Sequence, residues 1–325
     1  MSANRNDLDD EFDGIDDEER KTKVRRQFMY SSQAIAVAAR IEKIFVSHPE
    51  FAACLQACDR VFQLSKELEQ PQATVVAGPP GVGKSALIKY FRASLPSGTL
   101  FEPGFGALAV RLPVKPNAGH LLGSILSQLR HPFPQVNSNT LSIKKDVAIE
   151  AMQSKGTRLI FVDEAHNLKS QVRLKTRHSN GSSVSGLLCE LVDDAAVGVG
   201  LFGNLELLEV ENIDDHLASR VSSRFKLSEF KAGKLWEKFI EAFVARSSAF
   251  DISVLKANGE SARLLTATAG NPRKFKRLVT EAVLVAVQEN SAALAYQHLK
   301  LGFARITGDA PQARSPYDLP GQESA

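Results

Sequence analysis

The stretch Gly78-Pro-Pro-Gly-Val-Gly-Lys-Ser85 constrains this chain more than any other. It fits G-x-x-x-x-G-K-[ST], and its flanks suit the pattern. Ala73-Thr-Val-Val-Ala77 in front reads as a short buried strand, and Ala86-Leu-Ile-Lys-Tyr-Phe-Arg92 behind reads as a helix. In that setting backbone N–H groups converge on phosphate oxygens at a helix N-terminus, where the dipole favours negative charge. Gly78, Gly81 and Gly83 are expected to take conformations that a side chain forbids. With Pro79, Pro80, Val82 and Ala86 they would line a nucleotide's phosphates. Lys84 would reach the β- and γ-phosphates, and the Ser85 hydroxyl would ligate Mg²⁺. The alternative is a glycine-rich turn that binds nothing, and the strand before it and helix after it argue against that.

Phosphoryl transfer also needs a carboxylate for the metal at the end of a buried strand. Leu159-Ile-Phe-Val-Asp163-Glu164 supplies one. Asp163 is the expected metal-holding group, and Glu164, pointing elsewhere, is the expected general base for the attacking water. The alternative is an acidic turn after a core strand.

The chain alternates strands and helices around these motifs. Further strands are expected over 107–112, 158–162, 197–202 and 224–227, with helices over 117–129, 141–153 and 184–194 between them. This is the pattern of an α/β fold with a five-stranded parallel sheet covered on both faces. Two helices, broken at His48-Pro49, lead in over 28–70, and the α/β domain is expected over 71–229. An all-helical lid comes next over 230–307. Residues 1–27 and 308–325 read as disordered arms.

Composition narrows the partners. Residues 1–19 carry nine acids and one base, a balance of −8. Against a total of +3, the rest of the chain stands at +11. A basic body suits a polyanion such as nucleic acid, although an acidic arm can also be a plain solvated tail. Acid-free stretches hold Arg111, Lys115, Arg130, Lys144 and Lys145, and later Lys169, Arg173, Lys175, Arg177 and His178. Of these, Lys115, Arg173, Lys175 and Arg177 are the expected contacts to a duplex backbone. Scattered solvated lysines and arginines are the alternative. No aromatic run accompanies them, which disfavours binding of single strands by base stacking. The three cysteines read as reduced core thiols rather than a disulfide framework or zinc site. Neither His166 nor His178 has a second ligand at useful spacing. There is no secretory signal and no apolar run long enough to span a bilayer, so a cytoplasmic protein is expected.

Asp163-Glu-Ala-His166 spells a sequence also found in superfamily 2 helicases, but no later S-A-T triplet or Q-x-x-G-R-x-G-R motif accompanies it. The downstream chain instead carries Gly203-Asn204, then Ser219-Arg-Val-Ser-Ser-Arg224-Phe225, then Gly270-Asn-Pro-Arg273. That ordered set resembles AAA+ ATPases over about residues 73–306. The resemblance implies ATP and Mg²⁺ as cofactors and an AAA+ P-loop NTPase fold with a C-terminal helical lid. By it Asn204 is sensor 1, orienting the lytic water, and Arg273 is sensor 2. Arg224 is the arginine finger reaching a neighbouring subunit's nucleotide, with Arg220 as the other candidate. A finger acting in trans implies a homo-oligomer, ring or helical filament.

A finer resemblance rests on Val110-Arg-Leu-Pro-Val-Lys-Pro116, Leu121-Leu-Gly-Ser-Ile-Leu-Ser-Gln-Leu129, Val162-Asp-Glu-Ala-His-Asn-Leu168, Leu187-Leu-Cys-Glu-Leu191 and Val199-Gly-Leu-Phe-Gly-Asn204, with Trp236 after the Arg-Phe element. The order is similar to the TniB/TnsC group of transposition ATPases, relatives of MuB and more distantly of Cdc6/Orc initiators. This implies an ATP-dependent oligomer on double-stranded target DNA that recruits or activates a DDE-type transposase. A replication initiator or helicase loader, and a nucleotide-switched protein scaffold, are the competing readings.

Overall fold

The computed structural model describes residues 30–95, 106–169, 184–308 and 316–317. Arg173, Lys175, Arg177 and His178 lie outside them, as does most of both arms. By its internal contacts the chain divides into two units. One comprises residues 46–239 with 268–274. The other comprises the described parts of 1–45, 240–267 and 275–325.

The first unit is built on a sheet of five parallel strands in the order β2-β3-β4-β1-β5. These are β1 Ala73–Ala77, β2 Ala107–Arg111, β3 Leu159–Asp163, β4 Gly198–Gly203 and β5 Val221–Lys226. β1 and β4 are buried along their whole length, as apolar strands covered on both faces must be. β5 alternates half-buried and exposed residues at the sheet's edge. It begins three residues before the expected Arg224, because Val221-Ser-Ser carries no apolar run for a sequence reading to find. At the opposite edge the Gln128 side chain pairs with the open rim of β2. Its amide donates to the Ala109 carbonyl at 2.6 Å and its Oε1 accepts from the Ala109 N–H at 2.9 Å.

The helices of this unit follow the expected order, α2 Pro49–Leu64, α3 Lys84–Ser94, α4 Ala118–Gln128, α5 Leu141–Ser154 and α6 Val184–Ala195, and a short α7, Asp215–Ser219, is added before β5 where the sequence suggests no helix. α1, Ser32–Glu42, groups with the other unit, so the lead-in over 28–70 supplies one helix to each. One core cluster joins Leu108, Val110, Ile160 and Val162 of the sheet to Leu121, Leu122 and Leu187 of α4 and α6. Elsewhere on the sheet an aromatic file runs Phe62, Phe91, Phe161, Phe202, with ring centroids 5.7, 5.2 and 5.6 Å apart and edges meeting faces. Gly200 makes room for it, since a Cβ there would lie 2.8 Å from Phe161 Cδ1.

α8 Lys234–Ala245 runs from the first unit into the second, which holds most of α9 Glu260–Thr268, α10 Pro272–Gln288 beyond Lys274, and α11 Tyr296–Thr307. α10 and α11 cross closely at Gly302, where a Cβ would meet the Ala282 nitrogen at 2.9 Å. The start of the described chain is tied to the same helices. Tyr30 donates its hydroxyl hydrogen to Glu281, accepts from Arg305 at 2.7 Å, and carries the Arg305 guanidinium over its ring. Cys54, Cys58 and Cys189 are buried thiols, and burial pushes Cys54 up to about 12. Among the described residues no helix is long and apolar enough to cross a membrane.

Candidate functional site

The nucleotide loop hangs between β1 and α3. Its start is fixed by two backbone hydrogen bonds, Gly78 N–H to the Gly203 carbonyl at 3.1 Å and Leu227 N–H to the Ala77 carbonyl at 2.8 Å. Gly81 and Gly83 sit in the left-handed region at φ 90° and 111°, as expected of a turn that side chains resist. Gly78 is glycine for another reason. It has no positive φ, but a Cβ there would lie 2.3 Å from the Leu227 carbonyl oxygen. The expected conformational role at 78 is therefore one of space.

α3 opens at Lys84 with no side-chain cap on its first turn, which leaves its N–H groups for an anion. The Lys84 ammonium folds back to donate to the carbonyls of Gly78 at 2.6 Å and Pro79 at 2.9 Å. Burial pulls its pKa below the usual lysine value, opposed by the Glu164 and Asp163 carboxylates.

Asp163 ends β3 with both carboxylate oxygens engaged. Oδ2 accepts from the Ser85 hydroxyl at 2.8 Å, and Oδ1 accepts from the Glu164 N–H at 3.0 Å. Two oxygen donors therefore meet across the first turn of α3, a pairing suited to a hard divalent cation that takes its remaining ligands from phosphate and water. Glu164 comes next in the left-handed region at φ 57° and ψ 36°, a strained setting for a side-chain-bearing residue and one typical of functional positions. The turn swings its carboxylate away from Asp163. One oxygen lies 3.4 Å from Arg111 Nη2 and the other 3.6 Å from His166 Nδ1.

His166 also lies 3.4 Å from the Asn204 N–H, placing its ring between the base candidate and the sensor candidate. Gly203 allows this approach, because a Cβ there would meet His166 Nδ1 at 3.1 Å. The sequence offers His166 as a metal-ligand candidate and as the end of Asp163-Glu-Ala-His166, and nothing in either pattern signals this position. Asn204 caps the adjoining 3₁₀ turn by accepting from the Glu206 N–H at 3.1 Å.

The two arginines at β5 differ. Arg220 lies against both oxygens of Asp193, its Nε donating to Oδ1 at 3.1 Å, and Nη1 donates to the His216 carbonyl at 2.6 Å. Arg224, on the edge strand itself, is paired with Glu211. Its side chain is 39% exposed against 24% for Arg220.

Arg273 is seated beside the loop by its backbone, its N–H lying 3.2 Å from the Gly81 carbonyl. The residue that builds this seat is Asn271, which is 3% exposed. Its Nδ2 donates to the Pro80 carbonyl and to Glu229 Oε1, both at 2.9 Å, while Oδ1 accepts from the Arg273 N–H at 3.1 Å. Asn271 was visible in sequence only as part of Gly270-Asn-Pro-Arg273, with nothing to reveal a contact 191 residues away. Next to Glu164, Arg111 borders a groove of about 680 Å³ shared with Arg92, His120 and Gln128. Lys115 is exposed on the segment after β2.

A five-stranded parallel sheet with a phosphate loop after β1 and an acidic pair at the end of β3 defines the class: this is an AAA+ P-loop NTPase fold. A family model described as bacterial TniB protein matches residues 37–232. The chain belongs to the TniB family. Among solved structures it is similar to the ORC2 protein of Aeropyrum pernix in its ADPNP–ADP complexes, at 14% identity and TM-score 0.54, covering 82% of this chain and 71% of that one. The Aeropyrum pernix ORC1 protein in complex with DNA gives 15% identity and TM-score 0.56 over 80% of this chain and 66% of that one. Drosophila ORC bound to DNA gives 16% and 0.55 over 96% and 71%. At such identities the likeness is one of fold. No curated protein matches the chain.

Proposed function

We propose that the protein is an ATP-dependent DNA-binding ATPase that assembles on double-stranded DNA as a homo-oligomer and there recruits or activates a DDE-type transposase. The observation that carries the ATPase reading is the meeting of Lys84, Ser85 and Asp163 at the open N-terminus of α3, with Glu164 next along the chain from Asp163. The transposition reading rests on membership of the TniB family. DNA is favoured by the +11 balance outside the acidic arm, by Arg92 and Arg111 on the groove beside Glu164, and by exposed Lys115 on the segment after β2.

In this reading Lys84 leaves the carbonyls of Gly78 and Pro79 for the β- and γ-phosphates, which the N–H groups of residues 81–86 cradle. Ser85 and Asp163 would hold Mg²⁺, whose charge offsets that of the phosphates. Glu164 takes a proton from the attacking water, and Asn204 orients that water. Arg273 reports the nucleotide from beside the loop. Arg224 of a neighbouring copy completes the charge once it leaves Glu211; its greater exposure and single carboxylate partner favour it over Arg220, which Asp193 and the His216 carbonyl hold together.

The test is a duplex gel-shift titration with and without ATP, run on the natural protein and Glu164→Gln. Binding should require ATP and weaken steeply with salt. Glu164→Gln should keep nucleotide affinity while turnover falls on the order of a hundredfold or more. Charge reversal at Lys175 and Arg177 should flatten the salt slope. Duplex binding indifferent to ATP, or absent at low salt, would refute the reading.

A further inference from the structure

Beyond the nucleotide site, the helical unit contains a filled pocket. Pro316 and Tyr317 are both buried, although they stand in a stretch of sequence that reads as a disordered tail. Tyr317 is only 2% exposed. Its ring meets Tyr296 edge-on with centroids 5.4 Å apart, and Phe303 at 6.1 Å, both on α11. Its hydroxyl donates to Glu260 Oε1 on α9 at 3.1 Å. Its carbonyl accepts from the Tyr296 hydroxyl at 2.9 Å.

The walls are tied to one another as well as to the tail. Glu260 is 1% exposed and its other oxygen lies 3.4 Å from Arg263 Nη1. The Arg263 guanidinium in turn sits 5.2 Å from the centre of the Tyr296 ring. One hydrogen bond thus reads the backbone of the occupant, one reads its phenolic hydroxyl, and two rings hold its side chain. This is how a short peptide is recognised by side-chain pocket and main chain together. Arg263 serves one oxygen of this buried carboxylate and the tyrosine hydroxyl serves the other, so the site selects for a residue that brings that hydroxyl, since a buried acceptor left unmet is costly.

We propose that the cleft between α9 and α11 is a peptide socket specific for unmodified tyrosine, occupied in the protein by its own C-terminal residues Pro316 and Tyr317. Phenylalanine leaves Glu260 Oε1 without the hydroxyl that donates to it. Phosphotyrosine sets a dianion against the same carboxylate and is rejected.

The test uses the full-length Tyr317→Ala protein, whose socket is vacated, titrated with a fluorescent peptide of residues 308–325. Saturable binding is expected, about tenfold weaker for the peptide carrying phenylalanine at 317, and absent for those carrying alanine or phosphotyrosine. The natural protein should bind the same peptide at least about tenfold more weakly than the variant, because its socket is filled. A folded Tyr317→Ala protein that ignores the peptide, or equal binding by all four peptides, overturns the proposal. Should Tyr317→Ala fail to fold, nitration of the natural protein by tetranitromethane decides. Tyr317 should resist modification while Tyr90, 43% exposed, reacts; equal rates overturn the proposal.

Discussion

At Gly81 the left-handed φ of 90° coincides with a Cβ position 2.5 Å from Asn271 Oδ1. Gly81→Ala is expected to cost about 1–3 kcal/mol of stability in urea denaturation and to weaken nucleotide binding as the Asn271 contact is pushed off the loop. Glu260 behaves oppositely to an ordinary paired carboxylate. Burial is the largest influence on it and raises its pKa, so the folded state holds its proton to higher pH than the unfolded chain does. Its contribution is fully present below the unfolded value of about 4.3 and is lost as pH rises through the raised folded value. Glu260→Gln, which keeps an acceptor for Tyr317, should therefore gain on the natural protein towards neutral pH and converge with it in acid. Denaturation midpoints across pH 4–8 would reveal this, and a constant difference would refute it.

Elements were legible where burial writes an apolar run. Leu159-Ile-Phe-Val and Val199-Gly-Leu-Phe announce β3 and β4 because both faces of those strands are covered. The phosphate loop was legible because its chemistry demands glycine, lysine and serine at fixed spacing. The start of β5 was not, since an edge strand with one wet face needs no hydrophobic run and here begins Val-Ser-Ser. Nor were the His166 bridge between Glu164 and Asn204, the Asn271 clasp on Pro80, or the seat of Tyr317. These join residues distant in sequence, and no local pattern encodes them. The aromatic file behind the sheet offers a test at this scale. Gly200→Ala forces a methyl to within 2.8 Å of the Phe161 ring and should cost about 1–3 kcal/mol by overpacking, measured by chemical denaturation with ATP absent.

For the whole molecule the proposed function makes activity a property of the assembly. Arg224→Ala should fold and bind nucleotide as the natural protein does, yet lose turnover on the order of a thousandfold. Arg220→Ala should instead lower the melting temperature by freeing Asp193 and the end of α7. Specific activity of the natural protein should fall on dilution below the assembly concentration, and constancy under dilution would contradict a shared site. β5 closes the sheet on one side, with no strand beyond it among the described residues, and Arg224 projects from that border. Under the proposed function a solitary copy would own two incomplete engines, a cradle that lacks a foreign guanidinium and a guanidinium, parked on Glu211, that lacks a foreign cradle. On that proposal isolation alone would silence it, without any separate inhibitor.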